Sequence, residues 1–113
     1  MLATASAGDA AQRILPSNVH WSNAELFIDQ MRGDLPPGTP KNEVEAYLTR
    51  WSIPHSFVGR DPIYGPDGGN AFHGMITNVG TRIVFTSHLS IWIRLDQDEK
   101  VREIDSRLEY DAP

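Results

Sequence analysis

Four histidines, His20, His55, His73 and His88, offer the side chain that most readily holds a metal or moves a proton near neutral pH. None stands three or four residues from another, so no helix sets two of them on one face, and no Glu lies between a pair in zincin fashion. One strand geometry does bring two together: a two-residue hairpin turn at Gly80-Thr81 sets His73 directly opposite His88. Two ligands are too few for a structural zinc site, and the third would come from a loop. The acidic run Asp96-Gln97-Asp98-Glu99 has the opening of a calcium loop. Its sixth position, however, is Val101 where Gly is required, and its twelfth is Arg107 where a bidentate Glu is required. It reads as a hairpin turn. Gly65-Pro66-Asp67-Gly68-Gly69 lacks the Gly-Lys-Ser/Thr ending of a phosphate loop, and no Gly-x-Ser-x-Gly elbow occurs. A small hydrolase or metal-binding enzyme, assembled from residues distant in sequence, stays as an alternative; no cofactor is expected.

Composition narrows the field further. A chain of 113 residues is about one domain. Ten Lys plus Arg against fifteen Asp plus Glu leave a net charge of −5. That balance argues against non-specific binding to nucleic acid or anionic lipid, which needs a cationic surface. Hydrophobic residues at 40% suffice for a modest core. No apolar run approaches the ~18–20 residues that span a bilayer as a helix. With no cysteine, disulfides, thiolate zinc sites and cysteine nucleophiles are excluded.

The elements that must position any site follow from periodicity. Residues 1–20, small and nearly uncharged at Leu2 to Gly8, read as a flexible segment, of the kind left after an export signal is removed or of the ordinary frayed kind. Residues 21–113 read as a single α+β domain. Ser22-Asn23-Ala24-Glu25 has the form of a capping box, Ala24, Phe27, Ile28 and Met31 follow at helical spacing, and Gly33 is placed to end the helix. Thr39 as N-cap and Pro40 at the first helical position open a second helix, with Val44, Tyr47, Leu48 and Trp51 as its apolar, core-facing stripe. After Ile53-Pro54 the period changes to two. His55 to Val58, Ala71 to Val79, part of Ile83 to Leu95, and Val101 to Tyr110 read as strands, and residues 59–70, with four Gly and two Pro, as a loop. The fold class expected is therefore α+β, with two N-terminal helices packed on one face of a three- to four-stranded antiparallel sheet.

Alternation fixes a register for the last hairpin. Ile93 faces Ile104 and Leu95 faces Arg102 around a four-residue loop, Gln97 to Lys100, while Arg94 faces Glu103 and Trp92 faces Asp105 on the other side. Trp92 and Arg94 then point away from the core, ringed by Glu103 and Asp105, a composition typical of interface anchors. The alternative is that the 59–70 loop folds over Trp92 and buries it within the chain. Trp92, Arg94, Glu103 and Asp105, with Tyr64 and His73, are the candidate partner-binding residues.

The segment Leu35-Pro36-Pro37-Gly38-Thr39-Pro40-Lys41-Asn42-Glu43-Val44-Glu45-Ala46-Tyr47-Leu48, in the order helix, helix, antiparallel sheet, resembles the small envelope proteins of the BamE (SmpA/OmlA) and β-lactamase-inhibitor-protein-like type. Gly38, Thr39, Glu43 (one residue displaced), Val44 and Leu48 stand where that group opens its second helix, and Leu95-Asp96 stands at its acidic hairpin turn. The similarity covers roughly residues 22–110, and its motifs are mostly structural. It implies a non-catalytic periplasmic module that presents a sheet face or loops to another protein: an inhibitor or immunity protein that occludes a secreted enzyme or toxin, or alternatively an envelope assembly factor. An acidic chain suits a basic protein partner. Two departures stand out: no lipid-anchoring Cys is present, and the 59–70 loop is long for this group.

Overall fold

Apolar spacing of three and four before Pro54, and of two after it, is realised as two helices followed by an antiparallel sheet. The structure, a computed structural model, describes residues 13–59 and 69–111. Its elements are a 3-10 turn at Pro16–Asn18, α1 Ala24–Asp34, α2 Lys41–Arg50, β1 His55–Val58, β2 Ala71–Ile76, β3 Thr81–Arg82, β4 Phe85–Leu95 and β5 Val101–Tyr110. The class is α+β as expected, with five strands among the described residues where three or four were expected. The extra strand is the two-residue β3. Val79 N–H donates to Ser87 O and Ser87 N–H to Gly80 O, while Asp111 N–H reaches Thr86 O from the opposite side. Thus β3 continues the β2 side of β4, and the order across the sheet is β1-β2-β4-β5.

Helix starts differ from the capping expectation, and tertiary bonds explain why. Ser22 does not form a capping box: its Oγ sits 2.7 Å from His20 Nδ1, and Asn23 becomes the N-cap, its Oδ1 accepting from His20 N–H at 2.8 Å. Gly33 does not end α1, which runs on to Asp34; Leu35, held out of helical geometry by the Pro that follows, ends it. Pro40, not Thr39, is the N-cap of α2. Thr39 Oγ1 donates to Pro36 O, Pro40 is extended, and the backbone of 38–41 pairs with the last hairpin. Gly38 N–H donates to Val101 O, Val101 N–H to Thr39 O, and Lys41 N–H to Glu99 O.

One cluster of buried side chains contains residues of both helices and of the sheet. Phe27, Ile28, Met31, Val44 and Leu48 share it with Phe72, Leu89, Ile91, Ile93 and Ile104. Each such side chain contributes roughly 1.5–3 kcal/mol on leaving water. Tyr47 and Trp51 are only half-buried at the margin of this core. The packed chain also begins before His20: Gln30 brackets Ile14, accepting from its N–H and donating to its carbonyl, both at 2.9 Å, and Val19 is buried. Arg13 pairs with Asp34, which also accepts from Tyr47 OH at 2.8 Å. Burial opposes ionisation of Asp34, yet the hydrogen bonds from Arg13 and Tyr47 outweigh it and hold the carboxyl below its ordinary value. Tyr47 moves the other way: burial, then its bond to the Asp34 carboxylate, raises the phenol.

The register of the last hairpin is as expected at Ile93–Ile104, Arg94–Glu103 and Trp92–Asp105. It departs at the turn, where Leu95 pairs with Val101 rather than Arg102. A bulge there gives β5 an extra residue, which buries Val101 as well as Ile104; strict alternation would leave Val101 in water. Asp96 closes the turn, its Oδ1 accepting from Asp98 and Lys100 N–H, with Glu99 in the left-handed region. The Gly80-Thr81 hairpin that would oppose His73 to His88 does not form. His73 pairs with Trp92 and His88 with Glu109, because the chain makes its tight turn later, at Ile83-Val84.

Candidate protein-binding face

Alternation along β4 sends Leu89, Ile91 and Ile93 into the core, and Ser90, Trp92 and Arg94 to the opposite, outer face. Neighbouring strands add His73 and Met75 from β2 and Glu103, Asp105 and Arg107 from β5. The result is a series of cross-strand rows: His73–Trp92–Asp105, flanked on one side by Ala71–Arg94–Glu103 and on the other by Met75–Ser90–Arg107.

The central row is tied together locally. The His73 ring lies on Trp92 with centroids 4.3 Å apart and planes tilted by 33°. Its Nε2 is 2.7 Å from the Oγ of buried Ser90, which sets the ring angle against the indole. Such a ring pair contributes about 0.5–1.5 kcal/mol beyond the area it covers. Arg94 reaches diagonally to pair with Asp105 and lies 3.8 Å from Glu103 Oε1, which Arg102 also approaches at 3.6 Å. The Arg94 side chain is 19% exposed, whereas Glu103 and Asp105 are about half exposed, at 51% and 53%. The guanidinium is thus sunk between two outward carboxylates, and the aromatic pair stands at the centre of a charged surface.

Five of the six residues singled out from sequence, Trp92, Arg94, Glu103, Asp105 and His73, are brought together here. Tyr64 lies outside the described residues, as does most of the loop expected to cover or spare Trp92. Sequence reading missed Ser90, the buried hydroxyl that orients His73; counting by two from Trp92 would have found it. It also missed the turn at Ile83 and Val84, whose side chains are the most exposed large apolar ones among the described residues, at 86% and 70%.

The remaining histidines are engaged elsewhere. His55 Nδ1 sits 2.7 Å from Ile53 O, and His20 bonds Ser22. His88 Nδ1 accepts from Asn78 N–H, which leaves Nε2 to carry the proton that meets Asp111 at 3.0 Å. Among the described residues no group of three or more His, Asp or Glu is arranged to hold a metal ion. An open cleft of about 510 Å³ runs beside Leu15, Trp51, Pro54 and Met75, and among the described residues Arg50 is the single titratable side chain in its lining. No helix among the described residues is long and apolar enough to cross a membrane. Comparison of the chain with protein-family models, curated proteins and solved structures finds no match.

Proposed function

We propose that this chain is a non-catalytic periplasmic protein-binding module that blocks a basic secreted enzyme or toxin by laying its outer sheet face over it. One observation carries the reading: a half-buried Trp92, braced by His73, sits beside the exposed carboxylates of Glu103 and Asp105 on the face the core does not use. A rigid aromatic surrounded by charge is the composition of an interface anchor, and Glu103 and Asp105 match a cationic partner. The net charge of −5 adds long-range attraction toward such a partner. The resemblance of residues 35–48 to inhibitor-like envelope domains points in the same direction.

The test is capture of the partner from secreted and periplasmic fractions on immobilised wild-type chain, on Trp92→Ala and on Asp105→Lys. Wild type should retain a basic protein that both variants lose by at least about tenfold in affinity, while thermal melts show both variants folded. Retention undiminished by either substitution would remove the outer face from the reading.

A further inference from the structure

We propose that the open half of the β5 edge pairs antiparallel with the same half of a second copy, centred on Leu108, to form a continuous two-molecule sheet. The edge is divided in two. From 99 to 101 it is closed by the 38–41 backbone, and at Ile104 by Arg32, whose Nε and terminal nitrogen donate to the Ile104 carbonyl at 3.2 and 2.9 Å. That bond shows which way β5 faces: the Ile104 carbonyl points away from β4, and so do the N–H and C=O groups of Ser106, Leu108 and Tyr110. Asp111 N–H, bonded to Thr86 O on β4, confirms the parity. None of the described residues bonds these three outward backbones, although a sheet edge left open is a template for another strand.

Charge selects both the occupant and the register. An antiparallel pairing centred on Arg107 would set Arg107 against Arg107 and Asp105 against Glu109, all repulsive. One centred on Ser106 needs the Ile104 carbonyl that Arg32 already holds. Centring on Leu108 uses only open residues: Ser106 meets the second copy's Tyr110, Leu108 meets Leu108, and Arg107 meets Glu109 twice. Arg107 and Glu109 are exposed and take part in none of the ion pairs among the described residues, so both are free to serve the contact. Of the acids that this register brings near each other, Asp105 is already paired with Arg94, and Asp111 lies at the end of the strand, 3.0 Å from His88 Nε2. Tyr110, 46% exposed, and half-buried Leu108 gain apolar cover across the joint. The two-fold axis stands normal to the sheet, so both Trp92 faces end on the same side of the pair.

Sedimentation equilibrium of the whole chain tests this. Wild type should dimerise below about 1 mM. Arg107→Glu and Glu109→Arg should each weaken the dimer about tenfold or more, and the double reversal should restore it, because the pairs are then remade with signs exchanged. Circular dichroism should show all three folded, since both side chains are exposed. Trp92→Ala should leave the dimer unchanged, which separates this contact from the partner-binding face. A wild-type chain still monomeric at about 1 mM would leave the edge to a strand of some other protein and overturn the proposal. So would a dimer indifferent to the single reversals, or a double reversal that fails to restore it.

Discussion

The two faces of β4 carry nearly equal shares of one strand and do opposite work. Leu89, Ile91 and Ile93 on the inner side are at most 1% exposed and share one buried cluster with residues of both helices, whereas Trp92 and Arg94 on the outer side stay partly exposed. A side chain on the inner face cannot change without leaving a void that packed neighbours fill only in part. One on the outer face can change chemistry while the core holds. In a small domain, this division leaves one face to stability and the other open to variation.

Four substitutions break or sharpen that contrast. The largest effect belongs to Ile93→Ala, expected to destabilise the chain by roughly 2–5 kcal/mol in urea or thermal unfolding. If instead it were mild and Trp92→Ala unfolded the protein, the assignment of faces would be inverted. Next comes Asp34→Ala, which removes the acceptor of Arg13 and Tyr47 on the helical side and should cost about 1–3 kcal/mol. The same group sets a pH dependence. Its folded value is lowered, so its contribution is complete above the ordinary carboxylate value of 3.8 and is lost as pH falls through the lowered value. Tyr47, raised, contributes fully below its ordinary value of 10.0, and that contribution is lost as pH rises beyond it. Melting curves across acid and alkaline ranges should show both limbs in wild type, and Asp34→Ala should flatten the acid one.

Trp92→Ala follows, at about 1 kcal/mol of stability, the scale of its lost stacking on His73, against a tenfold or greater loss of partner affinity. Smallest is Asp105→Ala: an exposed pair with Arg94 contributes only about 0.2–1 kcal/mol to folding, so its measurable effect should lie in partner association rate and salt dependence. A stability loss at Asp105 as large as that at Ile93 would mean that the outer face is a second core.

The alternating strands were the most legible part of the sequence. Val101–Tyr110 and the Ile93–Ile104 register follow from where apolar side chains must go, and they stand as expected. Four of the six candidate site residues, Trp92, Arg94, Glu103 and Asp105, follow from the same parity argument, whereas His73 joins them through a β2–β4 register that the sequence did not announce. What escaped was decided by contacts between distant segments. Ser22 and Thr39 have the composition of helix caps, but their hydroxyls bond His20 and Pro36 O instead. The bulge at Leu95 answers to the burial of Val101, which strict alternation ignores. The His73–His88 pairing failed because a tight turn was placed at Gly80, a glycine with φ +107. That glycine serves a close approach, since an added Cβ would stand 2.6 Å from the His20 ring. The turn itself uses Ile83 at φ +62, a conformation a β-branched residue rarely adopts and no local propensity would announce.

Arg32 has a consequence beyond the bond it makes. It belongs to α1, yet it stops the edge of β5, so the state of the helix governs how much of the strand is open. Sub-global opening of a surface helix requires less free energy than global unfolding. When α1 lifts away it takes the guanidinium with it and lengthens the bare edge toward Ile104. A partly open molecule of this kind presents a longer adhesive strand with an isoleucine newly uncovered, the starting point of amyloid-like growth. The arginine thus couples helix docking to colloidal safety, and aggregation rates under mildly denaturing conditions should track the stability of α1 more closely than that of the whole domain.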